Sequence, residues 1–241
     1  DTGTFVAPTV LRIQGIHDLK SEIFGPVLHV ATFKSEELDQ VVADINSTGY
    51  GLTFGLHTRI DDRVQTMIER VDCGNIYVNR DQIGAVVGSQ PFGGEGLSGT
   101  GPKAGGPHYL PRFKANRSQD VTEKWTTEMD ATALQNALSN APMPPSQPAT
   151  DLPGPTGESN RHSLHARGPI LCIGPGTHAA KAQAEQVTAL GGCPVIATGS
   201  VTPHSLATVA PLGAVIWWGD VDTGRVSEYS LSERDGPTVA L

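Results

Sequence analysis

Little in this 241-residue chain is aromatic: six Phe, four Tyr and three Trp make up 5% of it. Basic residues are also short, with 17 Lys and Arg against 25 Asp and Glu and a formal net charge of −8. That deficit argues against a nucleic-acid or anionic-membrane surface, because such surfaces collect cations. No run approaches the ~18 apolar residues of a membrane-spanning helix. The three cysteines, Cys73, Cys172 and Cys193, are odd in number and show no metal-binding spacing. A reducing compartment therefore fits better than a disulfide scaffold. What is plentiful is backbone punctuation. There are 28 Gly and 18 Pro, enough for many turns but too few for a collagen or a low-complexity chain.

The length suits one large or two modest domains. The chain opens on Asp1-Thr2-Gly3 and closes on Thr238-Val239-Ala240-Leu241, which reads as the middle of a strand, so it is expected to be a piece of a longer protein. Periodicity is clearest over 1–113. Ser35 is placed to cap a helix with Glu36 and Glu37 in its first turn, where carboxylates complement the dipole. Leu38, Val41, Val42 and Ile45 then form one apolar stripe. Gly49 and Gly51 end that helix, and Leu52–His57 reads as a strand. A second helix from Asp61-Asp62 carries Val64, Met67, Ile68 and Val71 and stops at Gly74. Asn75–Asn79 is again a strand. Such alternation predicts an α/β fold with crossover connections on a largely parallel sheet.

Val121, Trp125, Met129, Leu134 and Leu138 predict a helix between about 119 and 140. The prolines and glycines around Pro142–Pro145 and Pro153–Pro155 predict a linker. A second α/β unit follows over 168–241. Ile170–Ile173, Pro194–Thr198 and Ala214–Trp218 are its strands, and Thr177–Leu190 is an Ala-rich helix.

Two glycine patterns resemble dinucleotide fingerprints. Gly94, Gly96 and Gly99 spell G-x-G-x-x-G, but more Gly and Pro follow where a helix should open. A tightly packed backbone loop is the better reading. Gly174-Pro175-Gly176-Thr177-His178-Ala179 lies between a strand and a helix, as a fingerprint should. No carboxylate stands near Pro194–Gly199, where the ribose partner belongs. A Rossmann-like fold without nucleotide binding is expected there. His162 and His165 form an H-x-x-H with no further ligand nearby, so no metal is expected. Cys73 sits between a helix end and an apolar strand, beside Asp72, whose charge disfavours a thiolate. It reads as a packed residue and not a nucleophile. Trp217-Trp218 reads as core or interface.

Ser21-Glu22-Ile23-Phe24-Gly25-Pro26-Val27 resembles the aldehyde dehydrogenase superfamily. The likeness continues through Phe5–Thr9, Tyr50–Thr53, Gly74–Asn79 and Pro91–Gly94. Asn79–Gly88 followed by Gln90–Gly94 is similar to L-glutamate γ-semialdehyde dehydrogenase, also called Δ1-pyrroline-5-carboxylate dehydrogenase. Gly99–Leu110 resembles the bacterial form fused behind a proline dehydrogenase. Leu152–Asn160 resembles its long version, which carries an extra Rossmann-like C-terminal domain without a known active site.

The resemblance implies three regions: the C-terminal half of a catalytic domain (1–113), a helix and linker (114–167), and a truncated Rossmann-like domain (168–241). It implies NAD as cofactor, with FAD confined to a proline dehydrogenase outside this chain. Glu22 and Phe24 are then the NAD contacts. Gly84 and Ala85 form an anchor loop for the substrate's α-carboxylate, and Phe92 packs on its methylene chain. No catalytic residue is expected here, because the family's nucleophilic Cys and general-base Glu lie upstream of the matched region. Expected partners are the semialdehyde, the rest of the dehydrogenase domain and, in the full-length protein, further copies of itself. A cytoplasmic location is implied, with any membrane association carried by the longer protein. The competing reading is a non-catalytic lid or oligomerisation module.

Overall fold

The computed structural model describes residues 3–114, 123–145 and 147–241, which gather into two compact units, Asp1–Gln82 and Ile83–Leu241. Both are α/β and built on parallel pairing, as the alternation predicts. The expected boundary at residue 113 falls inside the second unit. Among the described residues no helix is long and apolar enough to cross a membrane.

The first unit runs β1 (Thr9–Arg12), β2 (Val27–Val30), α1 (Leu38–Ser47), β3 (Tyr50–Gly51), β4 (Thr53–Leu56), α2 (Asp61–Arg70) and β5 (Asn75–Val78). β1 lies parallel to β2 and β4 parallel to β5, with Thr53 opposite Asn75 and Leu56 opposite Val78. Helix α2 is the crossover between β4 and β5. Its Met67 meets Val42 of α1 and Val71 in a small core, against which Leu38, Phe54, Leu56 and Cys73 pack. Ile68, expected on the same stripe, is exposed. Gly51 is required where it stands, because a Cβ there would lie 2.2 Å from the Asp72 carbonyl oxygen.

One expectation in this unit is corrected. Ser35 caps nothing: Ser35–Glu37 is a single 3-10 turn and α1 begins at Leu38. Glu37 instead reaches back, its carboxylate accepting the Lys34 N–H at 2.8 Å. A Glu three residues into a helical turn can satisfy that orphan amide better than a serine hydroxyl one residue later.

The second unit contains β6 (Glu95–Gly96), α3 (Ala131–Ser139), β7 (Thr150–Leu152), β8 (Asn160–His162), β9 (Ile170–Cys172), α4 (Gly176–Ala189), β10 (Pro194–Ile196), α5 (Pro203–Thr208), β11 (Ala214–Ile216) and α6 (Val221–Ser232). β9 is central in a parallel sheet of order β10-β9-β11, with Leu171 between Val195 and Val215. Alternation assigns the faces. Leu171, Ile173, Val195, Ala197 and Val215 enter the main core with Leu134, Leu138, Leu206 and Leu231. Ile170, Cys172 and Ile216 face the other way, against Ala184 and Val187 of α4. Helices thus cover both faces, as a buried parallel sheet needs.

The long helix expected between 119 and 140 is corrected to 131–139. The Asp130 carboxylate accepts the Ala133 N–H at 2.8 Å and starts α3 there. The residues before it are held extended: Met129 N–H donates to Ser200 O at 3.0 Å, and Ser200 N–H donates to Thr127 O at 2.9 Å. Sheet-like pairing and an Asp cap together outweigh the apolar spacing. Val121 lies outside the described residues. The expected linker also holds an antiparallel hairpin, β7–β8, with Leu152 opposite Asn160.

Candidate functional site

The segment from Ile83 to Gly88 is exposed throughout. Gly84 (φ +80°) and Gly88 (φ +84°) adopt the left-handed region that glycine reaches without strain. A Cβ at Gly84 would meet nothing within 4 Å, and Ala85 beside it is exposed, so the approach to this backbone is open. Gln90 closes the turn. Its N–H donates to Val86 O at 2.8 Å, and its Oε1 accepts the Val86 N–H at 3.1 Å. Two residues on, Phe92 is half-buried and held by a two-way backbone bridge to Ala104, at 3.0 and 2.8 Å. Lys103 Nζ donates to Gly93 O at 2.9 Å and stiffens the same stretch. Small side chains on an open, pinned turn suit a carboxylate that must come close to backbone.

Gly84, Ala85 and Phe92 belong to the second unit; Glu22 and Phe24 belong to the first. The latter two lie on the loop that enters β2, and both are exposed, Phe24 at 89%. The next residue, Gly25, has φ +134° and open space around it. The Phe24 ring is thus nearly bare, two residues along the chain from the exposed Glu22.

The Gly94–Gly99 loop packs on its own backbone, as expected. A Cβ at Gly94 would lie 2.6 Å from Ser98 O, and one at Gly99 3.0 Å from Gly94 O. The Gly174–Ala179 turn does sit between β9 and α4, where a fingerprint belongs, yet its seat is filled from within. The Glu123 carboxylate accepts the His178 N–H at 2.9 Å. Gln183, fully buried, accepts the Gly174 N–H at 3.0 Å and donates to Gly174 O at 2.7 Å. Trp125 Nε1 donates to Ile173 O at 2.8 Å. Gly176 therefore makes room for a side chain of the same protein, since a Cβ there would sit 2.3 Å from Glu123 Cγ, whereas one at Gly174 would meet the Gly176 backbone N at 2.6 Å.

Cys73 is half-buried beside the small core, its Sγ 3.4 Å from Asn75 O. Cys172 and Cys193 are buried, and burial pushes the Cys172 thiol up to about 11 and raises that of Cys193. Neither resembles an activated nucleophile. Trp217 packs against the main core and donates from Nε1 to Asp220 O at 2.9 Å. The His162 ring lies 6.4 Å from that of His108, and His165 contacts Ser163 Oγ at 3.1 Å. Partial burial holds the His162 imidazole below its usual range, helped by His108 and Lys103. Among the described residues no three His, Cys, Asp or Glu side chains gather as a metal site.

Sequence reasoning missed Gln90, Glu123 and Gln183. A glutamine next to a Pro-Phe-Gly-Gly run or inside an Ala-rich helix is the available signal for two of them. Glu123 carries none, since its partner is 55 residues away.

Residues 1–118 match the aldehyde dehydrogenase family. That part of the chain belongs to it. Beyond the family, the whole chain is similar to bifunctional protein PutA: 48% identical to that of Rhizobium meliloti across 71% of this chain, and 38% identical to that of Escherichia coli K12 across 100% of it. It spans 15% and 22% of those two relatives' lengths. The 1-pyrroline-5-carboxylate dehydrogenase of Bacillus cereus strain B4264 is 44% identical over 45% of this chain and 21% of its own. A crystal structure of Bradyrhizobium japonicum proline utilization A is 59% identical over 47% of this chain and 12% of that one, with a TM-score of 0.46.

Proposed function

We propose that this chain is part of an NAD-dependent L-glutamate γ-semialdehyde dehydrogenase that oxidises the semialdehyde to L-glutamate in proline breakdown. The observation that carries the reading is the open turn at Gly84 and Ala85, pinned by Gln90. It stands within a sequence that resembles both kinds of dehydrogenase relative. Exposed backbone with small side chains takes the α-carboxylate, and Phe92 packs on the methylenes. Glu22, acceptor-only when ionised, takes the ribose hydroxyls while Phe24 walls the ring. When bound, NAD accepts the hydride taken from the aldehyde carbon. The nucleophilic Cys and general-base Glu come from the part of the relatives that this chain does not span, so the chain alone does not turn over.

The domain proposal remains a catalytic portion over 1–113, a helix and linker over 114–167, and a Rossmann-like portion over 168–241. The parallel pair β1–β2 supports a covering partner, because Val10 and Leu28 are 68% and 60% exposed. Parallel strands are ordinarily buried on both faces. The rest of the dehydrogenase domain is the proposed cover, and full-length copies are proposed to associate.

Ala85→Leu in the full-length dehydrogenase tests the anchor. A bulky side chain should cost one charge-assisted bond, about 1.5–3 kcal/mol, and lower kcat/KM for the semialdehyde roughly 10- to 150-fold. Oxidation of propionaldehyde, which has no carboxylate, should change little. Equal losses on both substrates would remove the loop from carboxylate recognition. The lid reading applies to residues 114–241 and draws support from the self-filled turn at α4, where Glu123 and Gln183 take up the backbone groups. Mixing this chain with a separately made upstream half separates the two: restored oxidation favours the half-enzyme, assembly without turnover the module.

A further inference from the structure

We infer that Gln90 is a positioning residue for the substrate's carboxylate, and that it acts by tying the anchor loop to the β7–β8 hairpin through Asn160. The inference rests on the reading of Gly84 and Ala85 as that anchor.

The loop is poorly held by its own side chains. Val86 and Val87 are 57% and 89% exposed, and Gly84 and Gly88 are the residue type with the most backbone freedom. Gln90, by contrast, is buried at 8% exposure. Both ends of its amide are used. Oε1 accepts the Val86 N–H at 3.1 Å, and Nε2 donates to Asn160 Oδ1 at 3.3 Å. Its backbone N–H also donates to Val86 O at 2.8 Å, so Val86 is gripped on both its polar groups. Asn160 begins β8 opposite Leu152, and its Nδ2 reaches Pro153 O at 3.4 Å at the mouth of the hairpin. An unbroken relay of amides thus runs from Val86 to Pro153. An amide supplies the acceptor and the donor at once, whereas a carboxylate of the same reach lacks the donor and an ammonium lacks the acceptor.

Freeing the turn would not remove any contact to the reacting carbon. It would raise the ordering cost of presenting Gly84 and Ala85, and that cost falls on substrates that carry a carboxylate. The expected signature is therefore a selective one.

The experiment compares Gln90→Met, Asn160→Ala, Asn160→Asp and Ala85→Leu in the full-length dehydrogenase, with glutamate γ-semialdehyde and propionaldehyde as substrates. Gln90→Met should raise KM for the semialdehyde about tenfold with kcat little changed, and leave propionaldehyde kinetics within about twofold. Asn160→Ala should show the same selective rise, smaller in size, and Asn160→Asp should fall between Asn160→Ala and the wild type, because it keeps the acceptor for Gln90 Nε2 but loses the donor to Pro153 O. If Gln90→Met does not fold, the contrast between the two Asn160 variants decides the matter. Equal effects on both aldehydes, or none, while Ala85→Leu remains selective, would overturn the role of Gln90 alone. Loss of selectivity in Ala85→Leu itself would overturn the anchor and this inference with it.

Discussion

Replacing Gly176 by Ala should unseat Glu123. Gly176 opens α4 at φ +74°, a conformation that costs any residue with a Cβ about 1–2 kcal/mol. The new methyl would lie 2.3 Å from Glu123 Cγ and 2.6 Å from its Oε2, so the carboxylate has to leave. Its bond from the His178 N–H, 2.9 Å long, goes with it. Bonds to charged groups contribute about 1.5–3 kcal/mol, and the lower figure suits this solvent-exposed one. The sum is about 3 kcal/mol, which for a unit of this size lowers Tm by roughly 6–12 °C. Glu123→Ala alone should cost about 1.5 kcal/mol. In the Gly176→Ala background it should cost almost nothing, because the bond is already broken. The double-mutant cycle therefore has an expected coupling of about 1.5 kcal/mol. Denaturant unfolding followed by tryptophan fluorescence measures it, since Trp125, Trp217 and Trp218 all lie in the second unit. Strict additivity would refute the idea that Gly176 is glycine for the sake of Glu123.

Three further outcomes are expected. Leu138→Ala, at a fully buried position of the main core, should destabilise the second unit by about 2–5 kcal/mol in the same assay, whereas loss under 1 kcal/mol would mean that α3 is not held by that core. His162 is held below its usual range, so its neutral form is favoured in the fold. Its contribution to stability should be complete above pH 6.5 and decline as pH falls below it, and His162→Gln should flatten that decline in a pH series of unfolding midpoints. Glu22→Gln in the full-length dehydrogenase should weaken NAD binding by a few-fold to tenfold in a titration; unchanged affinity would take Glu22 out of the cofactor site.

The elements that the chain spells clearly are those whose packing repeats along the sequence. The stripe of Val42 and Ile45 gives α1, the stripe of Val64 and Met67 gives α2, and the runs at 170–172, 194–196 and 214–216 give one parallel sheet. The errors share a physical cause. Residues 123–130 carry helical spacing, but Ser200, some seventy residues on, bonds to the backbone of Thr127 and Met129 and bridges Glu128, which keeps the stretch out of a helix. Thr150–Leu152 and Asn160–His162 are three-residue strands inside a proline-rich stretch, too short to show a period of two. The proposed site was legible through small residues and family likeness, yet neither the group that ties its loop down nor the one that fills the turn before α4 was. Gln90 reaches Asn160 across 70 residues and Glu123 reaches His178 across 55, distances at which local pattern carries no information.

The two fingerprint-like turns show why spelling alone does not define a phosphate site. A dinucleotide loop needs glycine so that a ligand can approach, and it needs amides left pointing outward. At Gly94–Gly99 the first condition is met by the loop's own backbone, which Ser98 and Gly94 press together. At Gly174–Gly176 both conditions are met structurally and then consumed. Gln183 takes both polar groups of Gly174, Trp218 N–H adds a bond to the same carbonyl at 2.9 Å, and Glu123 supplies the negative charge that the end of α4 attracts. A carboxylate already seated on a helix N-terminus does what a phosphate would do for the fold, and it does so without leaving the chain. The parallel sheet β10-β9-β11 is thus held by the hydrophobic layers on its two faces, with an internal carboxylate seated at the start of α4.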